Sequence, residues 1–142
     1  MASIWTILAG TNSNKWWLFK EKKIVAAKFY DSNRNYLEKP ISFDEISPSI
    51  PYNTRLNEYS DINYFVDKIE KGDIIIAIAP TSSVLGIGTI ASDYLPPNTR
   101  NNPSNDAEYK HSRRVDWHIT ERNDINNIHF PTFSEGGVVR AC

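Results

Sequence analysis

Cysteine is almost missing from this chain. Cys142 is its one cysteine and its last residue, so no disulfide can close within the chain and no cysteine-based zinc site can form. No apolar run reaches the ~20 residues that a bilayer-spanning helix needs, and no N-terminal signal pattern is present; an intracellular protein is the expectation. Excess positive charge is missing too. Sixteen Lys/Arg stand against seventeen Asp/Glu, for a net charge of −1, which argues against a generic polyanion binder. Catalytic signatures are absent in the same way. There is no GxxxxGK[ST] and no GxGxxG opening a helix. Gly86-Ile87-Gly88 is too short for that fingerprint and falls inside a strand. No serine sits in a nucleophile-elbow pattern. His111, His118 and His129 lie at no ligand spacing, and the odd interval between the first two would point them to opposite faces of a strand. The expectation is a binding domain with no catalytic residues, no metal and no cofactor.

What the chain does have is aromatic residues and a core. Its 142 residues suit one domain, and 40% hydrophobic against 23% charged residues places it among globular chains. Four Trp and seven Tyr exceed what a core of this size needs. Charge is unevenly spread: residues 15–39 hold seven Lys/Arg against Glu21, Asp31 and Glu38, whereas residues 44–73 hold seven acids against Arg55, Lys68 and Lys71. Such an asymmetry permits a local nucleic-acid footprint, or only ordinary surface charge.

Local patterns set the element expectations. Residues 3–8 (SIWTIL) read as a strand and 9–15 as a turn-forming loop. Residues 16–23 read as a helical turn or an irregular crossover, and 24–30 as a second strand. Residues 31–57, with Pro40, Pro48 and Pro51, read as mostly loop with a short turn near 43–46. A helix is expected over 60–71. Ser60 caps it, Asp61 sits in its first turn, and Ile62, Phe65, Val66 and Ile69 form one face; Gly72 stops it. Residues 73–79 read as a strand buried on both faces, and 84–92 as its partner, with two glycines marking close packing or a bend. After a long Pro/Asn loop, 109–119 alternates, with Tyr109, His111, Arg113, Val115, Trp117 and Ile119 on one face. Residues after 121 carry no clear pattern.

Several of these residues suit nucleic-acid chemistry. Trp16 and Trp17 are adjacent, so one of them faces solvent or a cleft, where an indole beside Lys15 suits base stacking; partial burial as packing residues is the even alternative. Tyr94 and Tyr109 flank the long loop and can wall a pocket. The run Lys110-His111-Ser112-Arg113-Arg114 presents cations to a phosphate backbone or merely charges a sheet edge.

In chain order stand Trp5, a Gly/Asn loop leading to Trp16-Trp17, the 24–30 strand, I-x-K-G-D at 69–73, the 74–79 strand, Leu85-Gly86-Ile87-Gly88 with Tyr94 downstream, and Y-K-H-S-R-R-V-D-W at 109–117. This ordered set resembles the EVE-like division of the PUA superfamily. More narrowly, it is similar to the N-terminal DNA-recognition domain of McrB-type modification-dependent restriction GTPases. The resemblance implies an α+β fold, a strongly bent, PUA-like β-barrel of about five to six strands flanked by helices. It implies that residues 1–142 form one such domain at the N-terminal side of a longer, prokaryotic, cytoplasmic restriction protein.

It also implies a pocket that flips out a methylated base, N6-methyladenine or a 5-substituted cytosine, into an aromatic cage. Carried over residue by residue, the cage would draw on Trp16 or Trp17, Phe29 or Tyr30, and Tyr94. Thr81, Ser82 and Ser83 would read the base edge, and Lys15, Arg34, Arg100, Lys110, His111, Arg113 and Arg114 would hold phosphates. The implied partners are modified double-stranded DNA, a GTPase motor and a nuclease subunit, with no membrane and a monomeric isolated domain. The alternatives are an RNA-binding PUA-, ASCH- or YTH-like module reading modified or structured RNA, and a small ASCH-like enzyme or ligand-binding domain.

Overall fold

The computed structural model describes residues 2–81, 83–120 and 138–141. In chain order these form β1 (Ile4–Leu8), α1 (Trp16–Lys22), β2 (Ile24–Ala27), α2 (Tyr52–Asn63), β3 (Ile74–Ile78), β4 (Val84–Ile90), β5 (His111–Ile119) and β6 (Val139–Ala141). The strands make one six-stranded sheet in the order β2-β5-β4-β3-β1-β6. β1 and β3 run parallel in its interior and every other pairing is antiparallel. The continuous apolar run of β3 follows from this placement: with strands on both sides and packing on both faces, Ile75, Ile76, Ala77 and Ile78 are all buried.

Asp73, just before β3, fixes the start of the parallel pair. Its carboxylate accepts hydrogen bonds from the amides of Ser3 and Glu70 and from the Trp5 indole N–H, each at 2.9–3.0 Å. Burial raises its pKa, but those donors outweigh the effect and hold it below the usual carboxylate value. Gly86 in β4 permits another contact. A Cβ there would lie 2.3 Å from Trp16 Cη2, so the missing side chain makes room for the indole, which also meets the Trp117 ring edge-on at 5.1 Å.

The sheet is curled. β5 pairs with β2 through His111–Arg114 and with β4 through Val115–Ile119, with a register shift at Ile87/Gly88; a second shift breaks β3–β4 at Ala77/Ile78. Such irregularities bend strands. The result is an α+β half-barrel with helices packed on it, the class and bending that the family resemblance implied.

Several boundaries differ from expectation. The 24–30 strand ends at Ala27, and the 109–119 strand begins at His111. The larger change is in the second helix, which starts at Tyr52 after Pro51 and continues past Asn63 as a wider turn over Tyr64–Lys68. Ser60 is therefore mid-helix and caps nothing. The predicted face Ile62, Phe65, Val66 and Ile69 is buried as expected. The first two turns were illegible because their packing comes from outside any periodic pattern. Phe43 meets Tyr52 at 5.7 Å and Tyr59 at 6.0 Å, and Arg55 lies over Phe43 at 5.0 Å.

Candidate functional site

Tyr94, His111 and Arg113, all expected at a ligand surface, are buried and bonded to protein groups instead, although Tyr94 and Arg113 also border a hollow of about 290 Å³. His111 is fully buried. Its Nε2 donates to the Asp31 carbonyl at 2.9 Å, which leaves Nδ1 to accept from the Tyr94 hydroxyl at 2.7 Å. The two rings stack at 5.8 Å with 17° between their planes, and Phe29 and Tyr36 close the cluster. Burial pushes the His111 pKa down to about 4, so the ring is neutral and carries no charge for a phosphate. Arg113 is buried as well. Its guanidinium donates to the carbonyls of Phe65 and Val66 at 2.7 and 3.1 Å and to Ser92 O at 3.1 Å. The wide turn at the end of α2 leaves those carbonyls open, and the cation satisfies them at the negative end of the helix. Phe29 is core, not cage.

The other expected residues are dispersed. Trp16 packs against Phe19, Trp117 and Gly86, and Trp17 is 53% exposed. Tyr30 is 47% exposed, with its hydroxyl donating to Glu45 O. Thr81 and Ser83 bond to each other at the β3–β4 turn; Ser82 lies outside the described residues. Arg34 braces its own loop through Glu45 Oε1, Lys39 O and Pro40 O. Lys110 donates to Asn33 and Arg114 to the Asn101 carbonyl, and Arg100 is exposed. Among the described residues, no single cleft collects them.

A pocket does form elsewhere. A cavity of about 230 Å³ is lined by Leu8, Gly10, Thr11, Asn12, Lys28, Pro80, Tyr109 and Val138. β2 and β1 stand four places apart in the sheet, which would separate them by roughly 19 Å if it were flat. Lys28 after β2 and Leu8 at the end of β1 line one cavity because the sheet rolls up. Leu8, Pro80 and Val138 are apolar, Tyr109 offers a ring, and Thr11, Asn12 and Lys28 bring polar groups; this mix suits a small planar heterocycle.

The walls are built with strain and anchors. Gly10 has φ +79°, and a Cβ there would lie 2.4 Å from Asn14 Oδ1. Asn12 and Ser13 also take positive φ, 52° and 64°. Such conformations cost of order 1–3 kcal/mol each and concentrate at functional sites. Tyr109 is held by its amide on Asp106 Oδ2 at 2.9 Å and by its carbonyl, which accepts from the Ser104 hydroxyl. Lys28 pairs with Glu108 at 2.7 Å on the exposed rim, a contact that holds the ammonium pKa above its usual value. Val138 arrives through Asp61, whose carboxylate accepts from the amides of Val138 and Val139 at 3.0 and 3.2 Å. Burial, only partly offset by those amides, raises the Asp61 pKa to about 7.

Two other hollows carry acids in their walls. One, of about 290 Å³, has Asp67, Glu70 and Asp93 with Tyr94 and the already bonded Arg113; the other, of about 260 Å³, has Asp61 and Arg140. Among the described residues, no group of three His, Cys, Asp or Glu side chains is placed to hold a metal ion.

The sequence reading singled out Tyr109 and the polar loop after β1 but missed Leu8, Lys28, Pro80 and Val138. Their signal is only positional: Leu8 ends β1, Lys28 follows β2, Pro80 lies just past β3 and Val138 precedes β6.

A family model described as "Domain of unknown function (DUF8426)" matches residues 11–136. No curated protein matches the chain. Among solved structures, the chain is similar to the Mmi1 YTH domain complexed with RNA, with 19% identity over 84% of this chain and 54% of that one and a TM-score of 0.42. It is also similar to the YTH domain of Zygosaccharomyces rouxii MRB1 protein in complex with N6-methyladenosine RNA, with 12% identity over 99% of this chain and 79% of that one and a TM-score of 0.48. The chain thus spans about half the length of the Mmi1 domain chain.

Proposed function

The chain belongs to the DUF8426 family, and we propose that it is a non-catalytic reader that takes one modified, unpaired base of an RNA into the pocket beside Tyr109. The observation that carries this reading is the pocket itself. A cavity of about 230 Å³ combines an aromatic ring, apolar side chains and three polar side chains in its lining, which suits a base that stacks and is read along one edge.

Charge favours an unpaired base over one pulled from a duplex. Extrusion costs a few kcal/mol that phosphate contacts must help recover. Lys28 in the pocket lining and Lys15 beside the Tyr109 ring are each paired with a carboxylate, at 2.7 and 2.8 Å. Arg113 is buried and already bonded. A single strand with its base already splayed out makes the smaller demand, and loops of RNA supply such bases.

Fluorescence polarisation tests the proposal with four probes: a short single-stranded RNA, plain or carrying N6-methyladenosine, and a DNA duplex, plain or methylated. Burying one methyl contributes about 0.8 kcal/mol, so the methylated RNA should bind about fourfold tighter than the plain one. Stronger preference for the methylated duplex would instead support the modified-DNA reading that the McrB-type resemblance implied. Equal binding of all four probes would end the reader proposal.

A further inference from the structure

Lys15 and Asp106 are 91 residues apart in sequence, yet they join two loops that line the pocket. The Lys15 ammonium meets Asp106 Oδ1 at 2.8 Å. The other oxygen, Oδ2, accepts from the amides of Glu108 and Tyr109 at 3.0 and 2.9 Å. One carboxylate therefore holds both the lysine and the backbone of the ring wall. On the lysine side, the Lys15 amide donates to Ala9 O at 2.9 Å, and its side chain fills the space beside Gly10, where a Cβ would lie 2.6 Å from Lys15 Cγ. Its ammonium also stands 5.2 Å from the centre of the Tyr109 ring. Lys15 is thus wedged between the strained loop and the ring. The pair is shielded, with side chains 19% and 10% exposed, whereas the neighbouring Lys28–Glu108 pair is 55% and 60% exposed; solvent screens the second far more.

We propose that the Lys15–Asp106 pair is a latch that sets the width of the pocket, making Lys15 and Asp106 positioning residues for base recognition. This rests on the reading of the pocket above. A loosened latch lets the ring wall and the Gly10–Asn12 wall move independently, and binding then costs the entropy of ordering them. A plain base fills less of the pocket and depends less on its width, so the preference for a methyl group is the sensitive quantity.

The test uses Lys15→Gln and, as the conservative variant, Lys15→Arg. Amide hydrogen exchange without ligand reads the latch, and polarisation with plain and N6-methyladenosine RNA reads recognition. Lys15→Gln should speed exchange at Glu108 and Tyr109 by about tenfold and remove most of the methyl preference, and Lys15→Arg should restore both. Unchanged exchange at Glu108 and Tyr109 in Lys15→Gln would overturn the latch whatever the RNA does. Faster exchange with an intact methyl preference would overturn the positioning role. If the wild type binds neither RNA, the pocket reading fails and takes the positioning role with it, and exchange alone still decides whether the two walls are coupled.

Discussion

The His111 cluster and the Tyr109 pocket both join aromatic to basic side chains, and they differ in where the polar groups are used. Around His111, an imidazole, a phenol and a guanidinium use their hydrogen-bonding groups on carbonyls and on each other. Around Tyr109, a ring, a lysine and two short polar side chains line a cavity of about 230 Å³. Aromatic and basic residues are thus a poor guide to binding until their partners are counted. A buried polar group with every partner in place specifies the fold; the same group at a cavity mouth is free to specify a ligand.

Substitutions separate the two regions. The largest effect is expected at Arg113. Arg113→Met leaves three carbonyls without their donor and should cost about 3 kcal/mol of stability in urea denaturation, while RNA affinity per folded molecule stays unchanged. A loss of affinity beyond the loss of folded protein would break the contrast.

Protonation gives the next largest effect, with two opposite signs. The folded pKa of His111 is about 4, below the ordinary 6.5. The unfolded chain therefore binds more protons between those values, and the His111 contribution is present above pH 6.5 and lost as pH falls toward 4. Asp61 is raised from 3.8 to about 7, so its contribution is present below pH 3.8 and lost as pH rises through 7. Each is worth on the order of 3 kcal/mol at full effect, and in the shared window they oppose each other. Asp61→Asn should make stability climb with pH between 4 and 6.5, and His111→Gln should make it fall. Parallel profiles for the two variants would show that these groups do not govern the window.

At the pocket, Tyr109→Ala should weaken binding of methylated RNA by about 1–3 kcal/mol and change the urea midpoint little. Tyr94→Phe, which removes only the hydroxyl donated to His111, should reverse that pattern: about 1 kcal/mol of stability and no affinity. Trp17→Ala is expected to have the smallest effect, within ~0.5 kcal/mol on both measures, because the indole is 53% exposed and lines no described cavity. A large affinity loss there would return Trp17 to the stacking role first expected of it.

Much of the fold was legible because local rules applied. The buried run of β3, the face Ile62–Phe65–Val66–Ile69 and the glycines of β4 each leave a periodic or compositional trace. The start of α2 left none, because Phe43 packs on it from a loop without period, against Tyr52, Tyr59 and Arg55. The pocket was hard to read for a related reason. Leu8, Lys28, Pro80 and Val138 meet only when the sheet rolls up, and strand order is a non-local outcome. His111 and Arg113 misled because the partners that satisfy them, Asp31 O and the carbonyls of Phe65 and Val66, lie 80, 48 and 47 residues away in sequence.

The most direct test is an NMR amide map recorded while a short N6-methyladenosine RNA is titrated into the protein. The account predicts that shifts concentrate at Gly10, Thr11, Asn12, Lys28, Tyr109 and Val138 and spare Tyr94, His111 and Arg113. Shifts centred on Trp17, Tyr30 and Arg114, with the pocket amides unmoved, would contradict it.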